Sequence, residues 1–349
     1  MVHKELHIPE QTVPENWVVG PRSKLLDVWS PSPLIMLAPR FCYNDHSVDF
    51  TLTHETSTAS TNKARRHLFR NTDKASPIQT SESEIIYDCR FDTSDNVAHV
   101  LQNQIGVALH ALRTLEIENR WEDLKFVIHE QTATYAVELF RTLGFDPIAT
   151  NAPVVGNSIQ MKPKKFPFRP IAADSLRPHA VKIGLLSERD APREPVFLSR
   201  QGRRSLTNLD QIEPILNKSE YRTLYPEKLP PAEQIRSIAC ASHVFGLHGA
   251  ALGYMMLRDP KIGGTIIESF SSQYATNWGR SIAHKVGMKW TGCIAKADHG
   301  LPHKPSTANP REGESKSYEL HPDSVKIAIS ASKGPSPLAQ LIEATSIKI

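Results

Sequence analysis

The chain has 349 residues, enough for two domains with separate cores, and with 40 % hydrophobic and 22 % charged residues it reads as globular, which excludes a disordered or fibrous protein. A formal net charge of +4, spread along the sequence, argues against a nucleic-acid-binding stripe and leaves small anionic ligands as the expected partners. Cys42, Cys89, Cys240 and Cys293 stand far apart with no CxxC pair, so neither a zinc site nor a disulfide framework is expected. The first residues lack the apolar core of a signal peptide, and no window approaches the ~20 apolar residues of a membrane span. The expectation is a cytoplasmic protein with no integral membrane segment.

In chain order, residues 1–83 are rich in Pro, Ser, Thr and Asn and read as an irregular extension of strands and loops, with Thr56 to Ser83 a long surface loop. Glu84 to Tyr87 reads as a strand. Val97, Leu101, Ile105, Ala108, Leu112 and Leu115 then recur at the spacing of one helical face. A strand at Phe126 to Ile128 precedes a helix through Ala136 and Leu143 that stops at Gly144, a residue suited to the left-handed conformation past a helix end. Pro147 to Pro178 combine many prolines with basic residues, including Lys162, Lys164 and Lys165. They read as a linker between lobes. The expected division is an N-terminal lobe over 1–165, with the irregular stretch 1–83 as its extension, and a C-terminal lobe over 166–349.

The second half alternates: strand Val196 to Ser199, helix from Asn208, strand near Tyr221 to Leu224, helix Ala232 to Cys240, strand His243 to Leu247, helix Ala250 to Leu257, strand Thr265 to Ile267, helix about Thr276 to Val286. Right-handed crossovers make such strands parallel and bring every loop that follows a strand to one edge of the sheet. Arg200, Arg204, His248, Gly249, Ala250 and Glu268 all fall on that edge, where open α/β sheets bind ligands. Asn208 is expected to cap its helix with Gln211 at the N3 position. No GxGxxG or Walker pattern supports a dinucleotide or NTP fold. Beyond Ala297 the chain is polar, with a short βα element at Tyr318 to Ile329.

Ser199-Arg200, Arg204 with Asn208, Glu233-Gln234-Ile235, Gly246-x-His248-Gly249-Ala250 and Ile267-Glu268 together resemble glycosyltransferase family 61, the DUF563 group. That family includes xylosyl- and N-acetylglucosaminyltransferases and proteins of capsular polysaccharide synthesis. Asn96-Val97-Ala98-His99 is similar to its N-x-x-H segment, and the likeness runs from about Asp92 to Asp323. The resemblance implies a GT-B-like α/β fold of two Rossmann-like lobes with a cleft between them, and inverting, metal-independent transfer from a nucleotide sugar to a carbohydrate or glycan acceptor. On this reading Arg200, Arg204 and the backbone of Gly249 and Ala250 neutralise the leaving diphosphate, as arginine forks and helix N-terminal amides can. His248 donates to phosphate or sugar, and Glu268 accepts from ribose or sugar hydroxyls.

Family members commonly carry an aspartate where this chain has Asn103, and an amide cannot serve as a base. His99, Asp95 and Glu130 are the substitute candidates, with Asn96 and Asn103 on the acceptor side. Each residue also has a structural alternative: surface ion pairs for the arginines, a packed turn histidine at 248, a helix cap at Glu268, a core histidine at 99. The corresponding functional alternative is a catalytically impaired nucleotide- or glycan-binding member of the same fold.

Overall fold

The computed structural model describes residues 1–20, 34–38, 40–57, 75–92, 96–163, 169–271, 276–295 and 317–334. Two compact units emerge, each assembled from two stretches of chain: Met1–Gln11 with Tyr43–Glu188, and Thr12–Cys42 with Arg189–Ile349. Packing therefore changes hands near Glu188 rather than at 165/166, and residues 12–42 go to the second unit. Both units are mixed α/β. No helix among the described residues is long and apolar enough to cross a membrane.

The first unit holds a seven-stranded sheet whose main path runs Val2–Ile8, His46–Ser57, Val154–Lys162, Ile85–Asp88, Leu124–Ile128, Ile148–Ala149. The last four strands are mutually parallel, and His46–Ser57 pairs antiparallel with both Val2–Ile8 and Val154–Lys162. Two expectations are corrected here. Residues 1–83 are not an irregular extension, since long strands from them build both sheets. Nor is Pro147 to Pro178 a linker: Val154–Lys162 lies inside the sheet, and Ala173–Lys182 is a helix of the same unit. That strand escaped notice because Gly156 and Ser158 stand at buried positions between Val154 and Ile159 and break the apolar alternation. A Cβ at Gly156 would stand 2.0 Å from Thr80 Oγ1 and 2.8 Å from Ile86 Cδ1, so close packing replaces a hydrophobic period. The expected loop from Thr56 to Ser83 lies for the most part outside the described residues, as do Lys164, Lys165 and the final dozen residues.

The long apolar helix forms as expected from Val97 to Thr114, but its Val100–Ile105 segment is π-wound. Gly106 follows that segment, and a Cβ on it would meet Ala172 Cβ at 2.4 Å. Thr134–Thr142 ends before Gly144, whose φ of +85° is the left-handed stop anticipated for it.

In the second unit the sheet order is Arg222–Leu224, Val196–Leu198, His243–Leu247, Thr265–Phe270, Lys289–Ile294, Asn16–Gly20, Leu34–Ala38. All neighbours are parallel except the last pair. Strands buried on both faces explain the continuous apolar runs that made this half readable. Phe197, Phe245, Ile267, Ile212 and Leu216 are fully buried in one core. The strands Lys289–Ile294 and Asn16–Gly20 were not anticipated. The segment Ala250–Leu257 is a 3-10 helix rather than an α-helix.

Candidate functional site

From Val196–Leu198 the chain passes to Arg222–Leu224 on one side and then crosses to His243–Leu247 on the other, so the sheet order reverses at Val196–Leu198. The crevice outside the carboxyl ends of strands at such a reversal is the usual ligand position in open α/β sheets. The loop Ser199 to Ser205 and the turn His248 to Ala250 flank it. The register sets Leu198 level with Gly246, and Gly246 level with Glu268.

Arg200 reaches across toward the turn, because a Cβ at Gly249 would stand 3.4 Å from Arg200 Nη1. Gly249 has extended backbone (φ 169°), so its value there is space rather than conformational freedom. Arg200 Nε and Ser199 Oγ are buried without a hydrogen-bond partner among the described residues. Burial, and next the charge of Arg204, depress the Arg200 pKa, with Glu227 and Tyr318 opposing. A depressed guanidinium beside a second arginine is a site short of negative charge. Arg204 holds a φ of +62°, an uncommon conformation for a residue with a side chain. The loop is fastened from outside: Thr207 N donates to Tyr318 O at 3.1 Å and Tyr318 N to Ser205 O at 3.2 Å. The Tyr318 hydroxyl reaches Ser269 Oγ at 2.9 Å, and desolvation pushes its pKa up.

Glu268 is placed otherwise than the sequence led us to expect. It is 0 % exposed. His248 Nδ1 lies 2.6 Å from its Oε1, and Trp290 Nε1 donates to its Oε2 at 2.8 Å. The carboxylate therefore orients His248 instead of facing ribose or sugar hydroxyls, and it is no helix cap. A carboxylate accepts, so Nδ1 carries the hydrogen in this pair. The imidazole stacks on Phe270, centroids 5.3 Å apart, and meets Trp278 edge-on at 6.1 Å. Gly279 makes the room, since a Cβ there would sit 2.2 Å from Glu268 Oε2. Asn208 precedes its helix without a side-chain cap bond; its amide donates to Leu320 O at 2.8 Å and accepts from Leu320 N at 3.2 Å.

In the first unit, Asn96 caps the long helix, its Oδ1 accepting from Ala98 N at 2.9 Å. His99 and Asn103, one turn apart, both reach Asp92, which lies four residues past the carboxyl end of Ile85–Asp88. His99 Nδ1 is 3.0 Å from Asp92 Oδ1, and Asn103 Nδ2 donates to Asp92 Oδ2 at 2.5 Å. Asp92 had not been singled out, although its position just beyond a strand's carboxyl end was the available signal. Glu130 bonds Asn151 instead, accepting from its N at 3.3 Å and its Nδ2 at 3.2 Å. Asp95 lies outside the described residues. Among the described residues, no group of three or more His, Cys, Asp or Glu converges as a metal site.

Residues 159–265 match the family model of glycosyltransferase 61. This region is similar to glycosyltransferase 61. The match assigns a glycosyltransferase, and the resemblance read from the motifs holds over the region that contains Arg200, Arg204, His248, Gly249 and Ala250. It ends just before Glu268, and the Asp92, His99 and Asn103 cluster lies upstream of it. No curated protein matches the chain.

Proposed function

We propose that the protein is an inverting, metal-independent glycosyltransferase that moves a sugar from a nucleotide-sugar donor on its second unit to a carbohydrate or glycan acceptor on its first, the units being the two lobes of a GT-B-like enzyme. The observation that carries this reading is the unpartnered, buried Nε of Arg200, beside Arg204 and against Gly249 at the point where the strand order reverses. A leaving diphosphate gains negative charge as the glycosidic bond breaks, and two guanidinium groups in a partly desolvated crevice stabilise it without a cation. His248, aimed by Glu268, adds a donor to phosphate or sugar. Metal independence rests on the arginines supplying the positive charge that a divalent ion would otherwise bring.

The test is a thermal-shift screen with UDP, GDP, CMP and their common sugars, with and without divalent metal, repeated on Arg200→Ala and His248→Ala. A ligand at a hundred times its Kd stabilises the folded state by about 2.7 kcal/mol. One nucleotide should raise Tm without metal and lose that effect in both variants, and its sugar should be hydrolysed or transferred. Absence of any shift across the panel would overturn the donor-site assignment.

A further inference from the structure

The Asp92 cluster holds two groups whose arrangement the glycosyltransferase match does not address. Asp92 is half-buried, its side chain 20 % exposed, and that of His99 is 30 % exposed. An ionised carboxylate has only acceptors, so both side chains facing it must present hydrogens. Two hydrogen positions follow. The His99 hydrogen sits on Nδ1, making Nε2 the ring's lone-pair nitrogen. The amide of Asn103 turns its NH₂ to Asp92 and its oxygen away, and that Oδ1 is buried with no partner among the described residues.

We propose that Asp92 is the positioning residue of the first unit's site: its two oxygens fix His99 and Asn103 so that His99 Nε2 and Asn103 Oδ1 serve as hydrogen-bond acceptors for a hydroxyl-bearing ligand. The π-wound segment Val100–Ile105 carries Asn103, and such windings recur at functional sites because they redirect a side chain without ending the helix. Resting on the reading above, the ligand is the acceptor sugar. Its hydroxyl oxygen bonds to the anomeric carbon, its proton passes to His99 Nε2, and the diphosphate departs with the electron pair of the broken glycosidic bond. An amide at 103 then is no defect, because the negative charge that holds His99 comes from Asp92 and Asn103 acts as donor to it.

The deciding measurement is the ring-nitrogen spectrum of ¹⁵N-histidine-labelled protein, recorded above the range in which imidazole protonates, with the His99 signals assigned by their loss in His99→Gln. Wild type should show hydrogen on Nδ1 and a lone pair on Nε2. Asp92→Asn, isosteric and checked for folding by circular dichroism, should shift hydrogen to Nε2, because an amide can donate to Nδ1. Hydrogen on Nε2 in wild type, or an unchanged spectrum in Asp92→Asn, would overturn the proposal. In the nucleotide-sugar panel, Asp92→Asn should lower kcat by about tenfold or more with the donor KM unchanged, as expected for a group acting on the base; a raised KM at constant kcat would count against it. A panel with no turnover in wild type would sink the glycosyltransferase reading, while the nitrogen spectrum would still decide the role of Asp92.

Discussion

Replacing Trp290 by Phe removes one of the two hydrogen bonds that hold the Glu268 carboxylate, at a place with no solvent to replace it: Glu268 is 0 % exposed and Trp290 6 %. A hydrogen bond to a buried charge contributes about 1.5–3 kcal/mol, to which the smaller ring adds a cavity cost. The two are separated by a double-mutant cycle with Glu268→Gln. In that background the Gln oxygen still accepts from Trp290 Nε1 and its NH₂ donates to His248 Nδ1, so the same Trp290→Phe change costs the identical cavity but only a neutral bond of about 0.5–1.5 kcal/mol. The coupling should therefore be about 1–1.5 kcal/mol. Urea unfolding with both single variants and the double gives it directly. Thermal scans should show Trp290→Phe lowered by roughly 3–12 °C from the hydrogen bond alone, at about 2–4 °C per kcal/mol for a unit of this size class, with the cavity cost adding to it. Strict additivity in the cycle would refute the account of a buried, ionised carboxylate held between His248 and Trp290.

Asn208→Asp separates two roles for one side chain. An N-cap tolerates Asp as well as Asn, whereas the introduced carboxylate would face Leu320 O without a hydrogen to donate, and the loss should be about 1–3 kcal/mol in urea unfolding; a neutral result would restore the capping role. Stability should also fall on the acid side. Burial depresses His179, His243 and His284 below their ordinary value of 6.5, so the unfolded chain binds protons first. Their contribution is complete above about pH 6.5 and is lost as pH drops from there through the folded-state values. His179→Gln, which can still donate to Leu143 O, should flatten this slope for the first unit in a series of melts against pH; an unchanged slope would show that His179 is not buried neutral.

The sequence exposed the second unit's strand order because parallel strands buried on both sides carry runs such as Thr265–Phe270, whose six residues are all buried. It did not expose which side chains meet. His248 and Glu268 stand twenty positions apart, so their pairing depends on strand register rather than spacing. Glu268 looked like a ligand contact because strand ends expose side chains, yet Trp290, on a strand not anticipated, closes over it. In Val154–Lys162 the buried Gly156 and Ser158 interrupt the apolar residues Val154 and Ile159, so no hydrophobic period is left to detect. The Asn208-Gln211 spacing is that of a capping box, but the amide is claimed by Leu320, more than a hundred residues away. Asp92 lacked any motif of its own, and its one signal in the sequence was its place beyond the carboxyl end of Ile85–Asp88.

The interleaving of the two units sets an order on biosynthesis. Asn16 bonds Trp290 O across 274 residues, and at roughly 5–20 residues per second its partner leaves the ribosome tens of seconds later. During that interval Asn16–Gly20 has no parallel neighbour. The first unit, closed by residue 188, can be assembled before the second has its central strands. Contacts of such long sequence separation slow folding and keep strand edges open. A fragment beginning at Arg189 would lack two strands of its own sheet, and joining residues 12–42 to its end is the simplest way to obtain that unit alone.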